Sequence, residues 1–224
     1  MVTTQPLSAA VFDLDGLMFN TEELYHQVGG EMLRRRGKQL TEDLLDNMMG
    51  RQSREALQIM IDWHDLSDTT EELEAETDVI FGQILETDLR PMPGLFELLE
   101  ELEKREIPKA IATSSRRGFA VTMLEKFALL SRFTFLLTAE DIELGKPDPQ
   151  IYLRSAEMLQ IQPGEMMVLE DSGNGCKAAV ASGSYAVAVR ANHNQNQVFP
   201  GAVLVANSLA DEQIMAAFDG GLRN

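Results

Sequence analysis

Cysteine is nearly absent. Cys176 is the one cysteine in 224 residues, so no disulfide can form within the chain. A reducing compartment fits that, and a cytoplasmic location is the expectation. Basic residues are scarce as well. Lys and Arg total 19 against 36 Asp and Glu, a formal charge of −17. So acidic a chain is a poor partner for nucleic acid or an anionic membrane, and neither is expected. An anionic substrate would need local positive groups or a bridging cation. Long apolar runs are missing too. Nothing approaches the ~20 residues of a spanning helix, and the uncharged stretch 191–210 is interrupted by Asn, Gln and His. The start, "MVTTQPLSAAVFDLDG", has no basic segment followed by a long apolar core and does not read as a signal peptide. "SGNG" (172–175) lacks the further glycine of a dinucleotide-binding loop.

What remains is ordinary globular composition, 44% hydrophobic and 25% charged. Short apolar runs alternate with amphipathic segments. "AAVF" (9–12), "KAIAT" (109–113), "FTFLL" (133–137), "MMVLE" (166–170), "YAVAV" (185–189) and "AVLV" (202–205) read as buried strands. Helical patterns fall at 93–106, 117–130, 148–160 and 174–183. Continuously apolar strands alternating with helices predict a doubly wound parallel α/β sheet, Rossmann-like, with ligands beyond the carboxyl ends of the strands. Residues 19–90 break the rhythm with helical segments only, up to "RPMPG" (90–94). They predict an α-helical domain inserted after the first strand, which leaves 1–18 and 91–224 as the catalytic core. The acidic run from Glu71 to Asp78 reads as a solvated helix face.

Four polar clusters follow predicted strands: "DLDG" (13–16), "TSSRR" (113–117), "GKPDP" (145–149) and "EDSGNG" (170–175). In a parallel sheet those ends share one edge. Asp13 and Asp15 project to one side at strand spacing. Two such carboxylates are tolerable when a cation lies between them or their pKa values diverge. Glu170 and Asp171 add oxygen donors, and all-oxygen ligation suits Mg²⁺. The clusters lack the His and Cys expected of a zinc site. Thr113 and Ser114 offer a hydroxyl and a backbone N–H to a phosphate, and Lys146 offers a cation. Positioning and charge stabilisation are what phosphoryl transfer requires.

Asp13-Leu14-Asp15-Gly16, Thr113-Ser114-Ser115, Gly145-Lys146-Pro147 and Leu169-Glu170-Asp171-Ser172 resemble, in order, the four motifs of the haloacid dehalogenase superfamily. The best match is its β-phosphoglucomutase-like phosphohydrolase group, over nearly the whole chain. The resemblance implies that Asp13 is the nucleophile, forming an aspartyl-phosphate. Asp15 would be general acid and then general base, its main-chain carbonyl ligating Mg²⁺ with Asp13 and Asp171. Glu170 would act on the metal directly or through water. Thr113 and Ser114 would hold the phosphate, and Lys146 would bridge it to Asp13. Haloacid dehalogenases lack the second aspartate, because a halide leaving group needs no proton; Asp15 therefore argues against dehalogenation. "GRQSRE" (50–55) resembles the group's specificity loop. Gly50 and Arg54 are therefore candidate substrate contacts, with Ser115, Arg116 and Arg117 after the second motif.

Attack by water on the aspartyl-phosphate makes a phosphatase, and attack by a sugar hydroxyl makes a phosphomutase. Family members often carry Asp where this chain has Asn20, and the mutases have a histidine where an ungapped count gives Tyr25, with His26 next. The expected activity is therefore Mg²⁺-dependent hydrolysis of a small phosphorylated metabolite, such as a sugar phosphate, by a monomer. The alternatives are a phosphomutase and a catalytically silent binding protein. His26, His64 and His193 read as surface or packing residues, Cys176 as core, and Trp63 as packing.

Overall fold

The structure, a computed structural model, describes residues 6–48 and 53–220. In chain order the strands are β1 (Ala9–Phe12), β2 (Lys109–Ala112), β3 (Leu136–Leu137), β4 (Met166–Glu170), β5 (Tyr185–Val189) and β6 (Leu204–Ala206). Among the described residues they form one parallel sheet in the order β3-β2-β1-β4-β5-β6. Every residue of β1, β2 and β4 is buried. Such burial requires helices on both faces, which is why these runs are apolar without alternation. The fold is a doubly wound α/β sheet.

Helices α1 (Thr21–Arg35), α2 (Glu42–Met48), α3 (Ser53–His64) and α4 (Thr70–Asp88) lie between β1 and β2. They are followed by α5 (Leu95–Lys104), α6 (Arg117–Lys126), α7 (Gln150–Leu159), α8 (Gly173–Ser182) and α9 (Glu212–Phe218). The chain divides into two compact units, Met1–Asn20 with Pro91–Asn224, and Thr21–Arg90. Phe19 and Asn20 fall in the first unit. Phe19 bridges to Pro91 and stacks on Phe127 at 5.4 Å, and the Met92 N–H donates to the Met18 carbonyl (2.8 Å).

In the sheet unit, α5 shows how sequence becomes packing. Leu95, Leu98, Leu99 and Leu102 recur on one helical face and all are buried. Each contributes roughly 1.5–3 kcal/mol by leaving water. β3 is shorter than the apolar run 133–137. The Thr134 N–H already donates to the Lys109 carbonyl (2.8 Å), and Phe133 turns inward, edge-on to Phe12 at 5.8 Å. α8 starts at Ser172, whose Oγ accepts from the Gly175 N–H, and ends at Gly183 in left-handed geometry. Cys176 is buried on this helix.

The helical unit buries Leu24, Val28, Met32 and Leu33 of α1, Leu57 and Met60 of α3, and Leu73, Ile80 and Phe81 of α4, the last helix packing on both others. Trp63 does not join this core; it is 47% exposed. The acidic run on α4 is not wholly solvated, because arginines meet it. Arg36 donates to Asp68 (2.6 and 3.0 Å), to Glu76 (2.6 Å) and to the Met32 carbonyl (2.8 Å).

Those hydrogen bonds hold the Asp68 and Glu76 carboxyls below their usual values. Groups lowered on folding stabilise above their unfolded pKa, about 4, and the gain fades as pH falls through the folded value. Arg36→Met should therefore cost about 1 kcal/mol near neutral pH and progressively less in acid. Urea denaturation at both pH values measures this, and a pH-independent difference would contradict it.

Candidate active site

Because the strands are parallel, the carboxyl ends of β1, β2, β4 and β5 open on one edge of the sheet. Asp13 directly follows β1, and its N–H continues the ladder to the Leu169 carbonyl (3.0 Å). Glu170 ends β4 and Asp171 follows it. All three side chains are buried, and an oxygen of each lies within 4.8 Å of the others. Asp15, half-buried, sits one turn residue from the cluster.

Lys146 enters from the segment between β3 and α7. Its Nζ donates to Asp13 Oδ1 (2.5 Å), Glu170 Oε1 (2.7 Å) and the Ala112 carbonyl (3.0 Å). An ammonium has three donors, so Lys146 is fixed in direction as well as in charge. Glu170 is held from both sides. Tyr152 donates its hydroxyl to Oε1 (2.5 Å), while the Ser172 hydroxyl (3.1 Å) and N–H (3.4 Å) reach Oε2. Lys146 also lies 5.1 Å above the Tyr152 ring centroid, within cation–π range.

The electrostatics follow from burial. Burial, only partly countered by Lys146, pushes the Asp13 carboxyl well above its usual range, and Glu170, Asp171 and Asp15 push it further. Burial opposes the charge on Lys146, but Asp13 and Glu170 more than offset that and hold its pKa well above the usual lysine value. Burial and the Glu170 charge likewise raise Tyr152, so its hydroxyl remains a donor. Lys146 thus serves Asp13 and Glu170, with the Asp15 and Asp171 carboxyls close beside them. A divalent cation among Asp13, Glu170 and Asp171 would supply the missing positive charge and keep Asp13 ionised. The donors are all oxygens, which suits a hard cation. The close approach of Gly175 is part of the cradle: a Cβ there would run into the Glu170 carboxylate.

Asp15 is set by the β2 loop. Ser115 Oγ (2.6 Å) and Thr113 Oγ1 (3.2 Å) both donate to its Oδ2, and the Ser115 N–H donates to Thr113 Oγ1 (3.0 Å). The structure thus brings Asp13, Asp15, Thr113, Ser115, Lys146, Glu170 and Asp171 together. Ser114 and Arg116 are exposed on the same loop. Arg117 pairs with Asp141 at 2.5 Å. Arg54 belongs to the helical unit, where its guanidinium is engaged by Glu71 and lies 3.7 Å from Glu74. Gly50 lies outside the described residues. Tyr25 packs on Phe81 at 4.6 Å, and with His26 it lines a cavity inside the helical unit.

The residue-by-residue reading missed three members of the site. Tyr152 holds Glu170 from α7. His193 Nε2 lies 2.7 Å from Asp171 Oδ2, so His193 is neither a surface nor a simple packing residue. Asn194 donates to the Asp171 main-chain carbonyl (2.8 Å). The one available signal was position, since "RANHNQ" follows β5 at the same sheet edge.

The haloacid dehalogenase-like hydrolase family matches residues 10–189. This chain belongs to that family. A Thermotoga maritima relative, a phosphorylated carbohydrates phosphatase, is 32% identical over 177 residues, covering 79% of this chain and 82% of its own. Bacillus subtilis β-phosphoglucomutase is 28% identical over 214 residues, covering 92% and 91%. The crystal structure of CbbY from Rhodobacter sphaeroides in complex with phosphate shares the fold, with a TM-score of 0.81 at 22% identity, over 95% of this chain and 99% of that one. The haloacid dehalogenase-like relatives are thus phosphatases and a phosphomutase, and the sheet edge is where this chain gathers its carboxylates.

Tyr152→Phe keeps the ring and removes one donor from a buried carboxylate. The expected cost is about 1–3 kcal/mol, read from denaturant unfolding. Wild-type stability in this variant would show that Lys146 and Ser172 alone satisfy Glu170.

Proposed function

We propose that this haloacid dehalogenase-like enzyme is a Mg²⁺-dependent phosphatase of a small phosphorylated metabolite, with sugar phosphates as the substrate class. The observation that carries the reading is the pairing of two aspartates in different surroundings. Asp13 is buried on Lys146, and Asp15 is half-buried under the Thr113 and Ser115 hydroxyls. Such a division suits one nucleophile and one proton carrier. The name of the Thermotoga relative supports a phosphorylated carbohydrate as substrate.

Asp13, the Asp15 main-chain carbonyl and Asp171 would hold Mg²⁺, with Glu170 behind them. When bound, the ion would neutralise charge shared by the carboxylates and the phosphoryl oxygens. An Asp13 carboxylate oxygen attacks phosphorus as the bond to the alcohol oxygen breaks. Asp15 gives its proton to that oxygen, and the alcohol leaves. Asp15, now a carboxylate, takes a proton from water while the water oxygen attacks phosphorus. The Asp13–phosphorus bond breaks, releasing inorganic phosphate and restoring both side chains. Lys146 orients Asp13 throughout and offsets charge on the phosphoryl group. Thr113 and Ser114 supply a hydroxyl and an N–H to that group, and Thr113 with Ser115 keeps Asp15 in place. Ser115 and Arg116 are the substrate contacts proposed on this loop; Gly50 and Arg54 are those proposed from the helical unit.

The β-phosphoglucomutase relative supports a second reading, in which a sugar hydroxyl replaces water. Asn20 at the end of the sheet unit's first segment and Tyr25 in α1, where the mutases differ, favour hydrolysis. Phosphate release from a sugar-phosphate panel, with Mg²⁺ and with EDTA, tests both. Hydrolysis that EDTA abolishes and Mg²⁺ restores is expected. Conversion of β-glucose 1-phosphate to glucose 6-phosphate, primed by the bisphosphate, would favour the mutase, and no turnover of any phosphomonoester would sink both readings. Asp13→Asn should lose at least about 10³-fold in kcat, and Asp15→Asn about 10²–10⁴-fold. Near-normal turnover by Asp13→Asn would remove it as the nucleophile.

A further inference from the structure

His193 has no task in the mechanism above, yet it is buried against the site. Its side chain is 8% exposed and that of Asp171 is 7% exposed. The contact is 2.7 Å, between His193 Nε2 and Asp171 Oδ2. A carboxylate only accepts, so Nε2 carries the hydrogen and donates it. The next residue grips the same aspartate by its backbone. Asn194 Nδ2 donates to the Asp171 carbonyl (2.8 Å) and to the Val189 carbonyl (3.0 Å), and Asn194 Oδ1 accepts from the Ala191 N–H (2.8 Å). The loop after β5 therefore fixes Asp171 at main chain and side chain together. Gly16 closes the other side. Its φ is +71°, and a Cβ there would run into both Asp171 Oδ2 and His193 Nε2.

The geometry points to His193 as a positioning residue for Asp171. By taking Oδ2, its N–H fixes the rotation of the carboxylate and keeps an Asp171 oxygen within reach of the Asp13 and Glu170 oxygens. His193 is not itself in that carboxylate cluster among the described residues, so it acts through Asp171. The inference rests on the cation reading of the proposed function. Partners that orient a metal ligand typically set affinity by 10–100-fold when removed.

The test is Mg²⁺ binding to the full chain without substrate, by isothermal titration calorimetry, with circular dichroism to follow folding. His193→Ala should bind Mg²⁺ about 10–100-fold more weakly than wild type. His193→Gln places an amide N–H where Nε2 was and should recover most of the loss. His193→Asn places its amide nearer the backbone, at the Nδ1 position, and should behave like the alanine variant. Wild-type affinity in folded His193→Ala overturns the inference. If that variant does not fold, equal affinities of the Gln and Asn variants overturn it instead. No Mg²⁺ binding by wild type removes the cation reading, and this inference with it; binding by wild type and His193→Ala alike removes only the role of His193.

Discussion

The site turns on a charge imbalance. Asp13, Glu170 and Asp171 are gathered beside Lys146, which pairs with the first two, where burial has removed most of the water, and Asp15 stands next to them. Dehydrated like charges are costly unless positive charge or hydrogen bonds compensate. Much of the local architecture serves that compensation. Lys146 gives all three donors to protein groups, Tyr152 and Ser172 share Glu170, and two hydroxyls cover Asp15.

The sheet makes this possible. Parallel pairing of β1 with β2 and with β4 sets their carboxyl ends side by side. The next strand, β5, delivers the loop that clamps Asp171. Residues far apart in sequence are thereby held by rigid elements, as sites needing sub-ångström placement require. Glycines do complementary work. At Gly16 and Gly175 a single added carbon would collide with Asp171 or Glu170, so backbone and carboxylate pack where no side chain fits.

Much of this was legible in the sequence, and the exceptions are informative. The strands β1, β4 and β5 coincide with the apolar runs that announced them, because strands buried on both faces need unbroken apolar character. Asp13, Asp15, Glu170 and Asp171 stood out in the sequence because they lie at the carboxyl ends of such runs. α9 was not, since seven residues make only about two helical turns, too short a pattern to recognise. The last strand is displaced from the run 202–205 to Leu204–Ala206, a register that pairing with β5 decides. Tyr152 and His193 were illegible for a different reason. Their partners lie 18 and 22 residues away, and nothing local distinguishes a tyrosine in a helix core from one donating to a carboxylate. The ion pairs of Arg54 with Glu71 and Glu74 were illegible for the same reason, since those partners lie well along the chain on α4.

Hydrolysis and transfer to a sugar share their first half-reaction, and both depend on Asp13 receiving the phosphoryl group. Borohydride reduction during turnover tests that directly, because an acyl phosphate is reduced where a free carboxylate is not. The account predicts that peptide mass spectrometry will find homoserine at position 13, only when substrate is present. Unmodified Asp13 during active turnover, or reduction at Asp15 or Asp171 instead, would contradict it.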